Sequence, residues 1–165
     1  MHPTVRSVAA DENGYSPLLY VAGNGHEAVV KILVARDDIE VNTKDQDGCS
    51  PLSYVDEYGN EAAVKMLVSR DDVEVNTKDE TGRSPLSYAA ENGHEAVVKN
   101  LVARDDVEVD TTDSDGRSPQ LNAAEEGHEA VVKLLVARDD VEVNTKDRNG
   151  RRRCCTLPDM GEKRW

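Results

Sequence analysis

Three His-Glu pairs are the first residues in the chain that could do chemistry. They lie in nearly identical surroundings at His26–Glu27, His94–Glu95 and His128–Glu129. A zinc-binding helix of the His-Glu-x-x-His type needs a second histidine one turn later on the same face. A valine occupies that position in all three segments. We therefore interpret these histidines as turn residues that bind backbone between neighbouring segments, and not as metal ligands or catalytic groups.

Two acidic runs imitate part of a calcium-binding loop. Asp45–Gly48 and Asp113–Gly116 both read Asp-x-Asp-Gly. The twelfth position of such a loop must supply a bidentate carboxylate, and here it falls on Tyr54 and Asn122. Both runs are therefore predicted to be hairpin turns.

Four Arg-Asp-Asp triplets recur along the chain, beginning at Arg36, Arg70, Arg104 and Arg138. Charged runs of this kind are typical of a solvated loop edge, and we interpret them in that way. Stacked carboxylates could also attract divalent cations or a basic partner weakly, and this alternative stays open.

Catalytic motifs are missing from the sequence. It contains no Gly-x-Ser-x-Gly elbow, no phosphate-cradling glycine loop and no Cys-x-x-Cys pair. We therefore expect no catalytic residue, no cofactor and no metal. The run Arg151–Arg153 with Cys154 and Cys155 could be a nuclear-import patch or a palmitoylation site, but we interpret it as part of an unpatterned tail.

Charge and cysteine usage exclude several classes of partner. The chain has 33 acidic and 20 basic side chains and a net charge of −13, which opposes binding to nucleic acid or to an anionic membrane. No segment has the apolar length that crosses a bilayer. The 3 cysteines are unevenly placed and predict no disulfide framework. The expected location is intracellular, in the cytoplasm or the nucleus.

A repeat of 34 residues organises the chain. Gly14, Gly48, Gly82, Gly116 and Gly150 keep this spacing. Within one row, a Ser-Pro pair starts a short helix, a glycine turn ends it, and a second helix follows with an apolar stripe at spacings of three and four. An alternating Val-Glu-Val segment then leads to the next Asp-x-x-Gly turn. Each row is therefore helix, turn, helix and extended loop.

The row D-x-x-G-x-S-P-L-x-Y-A-A-x-x-G-H resembles the ankyrin repeat, and the resemblance covers nearly the whole chain. It implies an all-α solenoid of four stacked helix-turn-helix repeats joined by extended, β-hairpin-like loops. The tetratricopeptide repeat shares the 34-residue period but needs longer helices and a different pattern. The extra residue relative to the usual ankyrin period of about 33 falls after the second helix, and this longer form resembles arrays of filamentous fungi.

The repeat pattern also predicts the division of the chain. We expect an N-terminal lead-in over 1–10, an ankyrin-repeat domain over 11–150, and an unpatterned, disordered tail over 151–165. The predicted repeats are 11–44, 45–78, 79–112 and 113–146, followed by the start of a fifth hairpin up to residue 150. Because no rewritten, polar end repeat is visible, the chain is expected to be a fragment of a longer array or to associate through its open ends.

Several positions depart from the family pattern. The histidine of the family's Thr-Pro-Leu-His is replaced in every row, for example by Ser53 and Ser87. Asp56 occupies the place of a packed alanine, and burying an unpaired carboxylate is costly, so the second repeat is the expected soft joint. In the fourth repeat, Gln120 replaces a buried leucine and Asn122 replaces a tyrosine, so the helix that contains them is expected to fray.

The resemblance implies protein binding through the concave side, from the hairpin tips to the first helices. The positions there that change from row to row are Tyr15, Gln46, Asp47, Cys49, Glu57, Tyr58, Glu80, Thr81, Arg83, Glu91, Asn92, Ser114, Arg117, Glu125 and Glu126. Tyr58 and Arg83 are the expected anchors, because Tyr and Arg dominate interface energetics. The alternative, that these positions vary because nothing constrains them, stays open. The expected function is a non-catalytic interaction module for a partner with a basic surface, and the alternative is a structural or self-associating role.

Overall fold

Eight short α-helices form two layers in the part of the chain that the computed structural model describes, Asp11 and residues 14–138. They are α1 (Pro17–Gly23), α2 (Glu27–Val34), α3 (Pro51–Glu57), α4 (Glu61–Val68), α5 (Pro85–Glu91), α6 (Glu95–Val102), α7 (Pro119–Glu125) and α8 (Glu129–Val136). Odd-numbered helices pack in one row, even-numbered helices in a second, and each odd helix packs on the even helix that follows it. The described residues contain no strand. The prediction of an all-α solenoid of four helix pairs is confirmed.

Each first helix begins at the predicted Ser-Pro pair. The Ser84 hydroxyl accepts the backbone N–H of Ser87 at 3.3 Å, and Pro85 follows as the first helical residue. The cap satisfies one of the donors that a helix start leaves free, and proline has no N–H there to lose. Ser16, Ser50 and Ser118 repeat the arrangement. The sequence therefore specifies these starts locally.

The helix α7 has the same seven-residue length as the other first helices, so it is not shortened by the fraying that we expected. Gln120 is buried, but its Oε1 accepts from the Ser118 hydroxyl at 3.0 Å and its Nε2 donates to Asp110 Oδ1 at 3.3 Å. A buried amide with satisfied hydrogen bonds costs far less than an orphaned one. The polar substitution is thus accommodated.

The acidic runs form hairpin turns, as predicted. The Gly48 N–H donates to the Asp45 carbonyl, and the Asp45 N–H to the Cys49 carbonyl, both at 3.1 Å. The Asp45 carboxylate accepts the backbone N–H groups of Asp47 and Cys49 at 3.0 and 2.9 Å. Gly48 has a φ of +80°, and a Cβ there would lie 3.1 Å from the Asp79 Cα of the next hairpin. Conformation and close approach therefore both require glycine.

Three of the triplet arginines join neighbouring repeats, which corrects the interpretation of those arginines as part of a solvated edge. The described aspartates of the triplets are exposed, as that interpretation expects. The Arg70 Nη1 donates to the carbonyls of Val34 and Arg36, both at 2.9 Å, at the end of α2. Its Nε and Nη2 hold both oxygens of Asp72. Arg104 and Arg138 contact α4 and α6 in the same way. The last carbonyls of a helix lack intrahelical donors and attract cations, so each of these three arginines caps the second helix of the preceding repeat.

Asp56 is completely buried in α3, and neither of its carboxylate oxygens has a hydrogen-bond partner. The corresponding residues of the neighbouring repeats are Ala22 and Ala90, which are also buried. Burial raises the pKa of Asp56 well above the usual range of a carboxyl group. The expected buried, unpaired group is therefore present, and the soft joint that it implies stays a prediction.

Several expectations fall on other parts of the chain. The lead-in, the fifth hairpin start and the tail with Arg151–Arg153, Cys154 and Cys155 lie outside the described residues. Cys49 is a free thiol. None of the described helices has both the length and the apolar character needed to cross a bilayer.

Candidate interaction surface

The variable positions lie in two rows at opposite ends of the first helices. We call them together the variable face. The hairpin row contains Tyr15, Gln46, Asp47, Cys49, Glu80, Thr81, Arg83, Ser114 and Arg117. The helix-end row contains Glu57, Tyr58, Glu91, Asn92, Glu125 and Glu126. A first helix, about 10 Å long at 1.5 Å per residue, separates the rows.

Backbone contacts stack the hairpin tips on one another. The Glu80 N–H donates to the Asp47 carbonyl at 2.9 Å, and the Ser114 N–H donates to the Thr81 carbonyl at 2.8 Å. The side chains of these four residues are exposed. These backbone hydrogen bonds therefore fix the spacing between neighbouring tips, and the side chains of the tips point from them into solvent.

Tyrosines of the first helices support the hairpins. The Tyr54 hydroxyl donates to Asp45 Oδ2 at 2.8 Å, and the Tyr88 hydroxyl donates to Asp79 Oδ2 at 2.6 Å. Burial, followed by the neighbouring carboxylate, raises the pKa of both phenols, so each stays a donor at neutral pH. Sequence reasoning did not assign these tyrosines to the surface, although their constant nine-residue distance from the hairpin aspartate was a usable signal.

Arg83, an expected anchor, is engaged within the molecule. Its guanidinium carbon lies 4.2 Å from the centroid of the Tyr88 ring, and it forms an ion pair with Glu91. Arg83 thereby joins the hairpin row to the helix-end row. Tyr58, the other expected anchor, is 56 % exposed.

His94 and His128 bind backbone of the preceding repeat, as predicted, whereas His26 makes no such bond with the described residues. The His94 Nε2 lies 2.8 Å from the Glu57 carbonyl oxygen, and the His128 Nε2 lies 2.8 Å from that of Glu91. In the second repeat Asn60 takes the histidine position and caps its own helix instead. A Cβ on Gly25 would meet no atom within 4 Å, and an open cleft of about 550 Å³ lies between Gly25 and Asn60.

Comparison with known proteins agrees with this architecture. A family model described as ankyrin repeats (3 copies) matches residues 3–79 and 57–147. The chain belongs to the ankyrin-repeat family. A comparison with curated proteins finds no match. Ankyrin repeats are generally protein-interaction modules and are typically non-catalytic.

The helix-end row of this ankyrin array is acidic. Glu57, Glu91 and Glu125 end three successive first helices, and Glu126 follows the last of them. Glu91 is paired with Arg83, but Glu57, Glu125 and Glu126 form no ion pair with the described residues. The array therefore presents carboxylates whose charge no described side chain neutralises.

The described repeats contain no group of three or more His, Cys, Asp or Glu side chains that could hold a metal ion. The Cys49 thiol lies 3.7 Å from the Tyr88 hydroxyl, and burial raises the pKa of the thiol. A protonated thiol is a poor nucleophile. The Cys49 thiol is therefore not an activated nucleophile at neutral pH.

Proposed function

We propose that the chain is an interaction module or scaffold that performs no reaction and binds a basic surface of a partner protein through the variable face. The observation that supports this most directly is the row of carboxylates at Glu57, Glu125 and Glu126, which form no ion pair with any described residue. They lie at the ends of the first helices of the second and fourth repeats, so one partner can meet both repeats at once. In an ankyrin array this face is the concave side.

The charge of the whole chain favours the same class of partner. A net charge of −13 attracts a basic surface over long range and speeds the encounter. The stacked hairpins fix the spacing of the side chains, so little ordering is required on binding. The sparse, unevenly placed cysteines favour an intracellular setting, cytoplasmic or nuclear, for this binding.

A labelled lysine–serine peptide is a suitable first probe, with affinity measured by fluorescence anisotropy. Replacing Glu57, Glu125 and Glu126 together by glutamine should weaken binding about tenfold and reduce its salt dependence, because three attractive charges are removed. The triple variant of Glu40, Glu74 and Glu108 to glutamine is the matched control. It changes the net charge equally, at exposed positions on the loops. Equal losses in both triple variants would contradict a specific acidic face.

Self-association is a second candidate role, supported by the exposed N-terminal end of the array. Val29 and Ile32 in α2 are 42 % and 67 % exposed. The residues that correspond to Val29 in later repeats, Ala63, Val97 and Val131, are at most 1 % exposed because a preceding repeat covers them. A second copy stacked on this end would bury the same kind of surface that each internal junction buries.

A further inference from the structure

A groove lined by tyrosines lies between the hairpin and α1 of the first repeat and α3 of the second. It has a volume of about 340 Å³, and Tyr15, Tyr20 and Tyr54 form its aromatic lining together with the acidic residue Asp11. Tyr20 is 58 % exposed, in contrast to the half-buried Tyr54 and Tyr88 at the same position of the next two repeats. The first repeat thus exposes to solvent a tyrosine ring whose counterparts in the next two repeats are half-buried.

The third repeat shows what such a tyrosine accepts. Tyr88 carries the Arg83 guanidinium over its ring at a centroid distance of 4.2 Å, and Arg83 follows the hairpin glycine of the same repeat. The residue after the hairpin glycine is Tyr15 in the first repeat. In the first repeat, Tyr20 is therefore the counterpart of Tyr88. The ring of Tyr15 stands at the sequence position where the third repeat has the Arg83 guanidinium.

We propose that this groove binds the guanidinium of an arginine side chain on a basic partner, an inference that rests on the proposed function. A tyrosine face attracts a planar cation, and arginine also stacks on the ring, whereas the lysine ammonium cannot stack. The carboxylate of Asp11 adds negative charge at the groove. Arginine is thereby selected over lysine at one position, while the acidic helix ends bind either cation.

Two peptides of equal charge test this selection. One is the labelled lysine–serine peptide, and the other replaces a single central lysine by arginine. The chain should bind the arginine peptide about three- to tenfold more tightly. Tyr20→Leu, which keeps an apolar side chain and removes the ring, should abolish this preference, and Tyr20→Phe should retain it. Tyr58→Leu removes a similarly exposed ring that lies outside the groove, so it should change both affinities alike and leave the ratio between the two peptides unchanged.

The outcomes separate this inference from the proposed function. Equal affinity of the wild-type chain for both peptides, with Tyr20→Leu unchanged, would overturn the arginine site while leaving the acidic face intact. If neither peptide binds, the proposed function fails, and the groove is then tested with N-acetyl-arginine amide by NMR. Ring shifts at Tyr15, Tyr20 and Tyr54 that exceed those at Tyr58 would support the site, and their absence would overturn it. Thermal melts of each variant confirm that the compared proteins are folded.

Discussion

Asp56 is a carboxyl group in a place that neighbouring repeats give to a buried alanine. Burial raises the pKa of Asp56 in the folded chain. At pH values between the pKa of Asp56 in the unfolded chain and its pKa in the folded chain, the folded chain therefore binds more protons than the unfolded chain. The stability of the folded chain therefore falls as pH rises through that window, which begins near the ordinary carboxyl value of about 4. Below that pH the group is neutral in both states and this loss is absent.

Replacing Asp56 by alanine should stabilise the second repeat at neutral pH. We expect a gain of about 2 to 4 kcal/mol in the free energy of unfolding at about pH 7, because the buried, unpaired group is removed. The gain should shrink toward about pH 4.5, where the wild-type carboxyl is protonated at less cost. Urea unfolding of the wild-type chain and the variant, followed by circular dichroism, measures the gain at each pH. Asp105→Ala, at an exposed loop position, is the control, and a gain independent of pH would refute the explanation.

At the scale of the element, the contact between a histidine and a glycine turn locks one helix pair onto the next. Gly59 has a φ of +68°, and a Cβ there would lie 2.6 Å from the His94 ring. Gly25 has the same φ but open space around it, because Asn60 replaces the histidine at that junction. Comparing a Cβ added at Gly25 with one added at Gly59 therefore separates the cost of the left-handed backbone from the cost of crowding by the His94 ring.

Alanine substitution should distinguish these glycines. Gly25→Ala should cost about 1 to 2 kcal/mol, from the left-handed backbone alone. Gly59→Ala should cost about 1 to 3 kcal/mol more, because the ring must also move. In the His94→Ala background this excess should disappear, and a double-mutant cycle of unfolding free energies measures it. Equal costs for the two glycines in the wild-type background would show that the histidine does not fix the junction.

The arginines that cap preceding helices give a second test at this scale. Arg104→Ala should lower the free energy of unfolding by about 1 to 3 kcal/mol, because it removes charge-assisted bonds to the carbonyls at the end of α4. Arg36→Ala removes the same charge from an arginine whose described side-chain hydrogen bonds reach only Asp38, and it should leave stability nearly unchanged. Chemical denaturation of the two variants provides the comparison, and similar losses would contradict the capping role.

At the scale of the whole molecule, stability is a sum over repeats and the junctions between them. The weakness predicted at Asp56 should therefore act on both neighbours of the second repeat. At the first described repeat, Val29 and Ile32 are exposed and no described repeat packs on them. Whether a second copy packs on these side chains determines whether the mass of the chain in solution rises with concentration.

The mass of the chain in solution tests the exposed end. If copies stack there, light scattering should show a mass that rises with concentration, and Ile32→Glu should restore the mass of one chain, because a buried carboxylate opposes the contact. Tyr58→Glu introduces the same charge at another exposed side chain, on the second repeat, and it should leave the association unchanged. A wild-type mass that stays constant would remove self-association as a candidate role.

Much of the architecture is visible in the sequence because it is encoded within single rows. The Ser-Pro starts, the glycine turns and the apolar stripes act over three or four residues, so their spacing predicts the helix pairs and, through the 34-residue period, the stack. The buried position of Asp56 also followed from the period, because its counterparts are alanines. The histidine contacts were predictable in kind for the same reason.

The contacts that define the surface depend on residues brought together from different rows. The arginine caps join residues 34 and 36 positions apart, and the cleft at Gly25 exists because a residue of the next repeat is smaller than histidine. Arg83 was an expected anchor, yet the structure turns it inward onto Tyr88 and Glu91, and leaves Tyr20 exposed instead. These outcomes depend on how side chains of stacked repeats meet in space, and spacing along the chain does not contain that information.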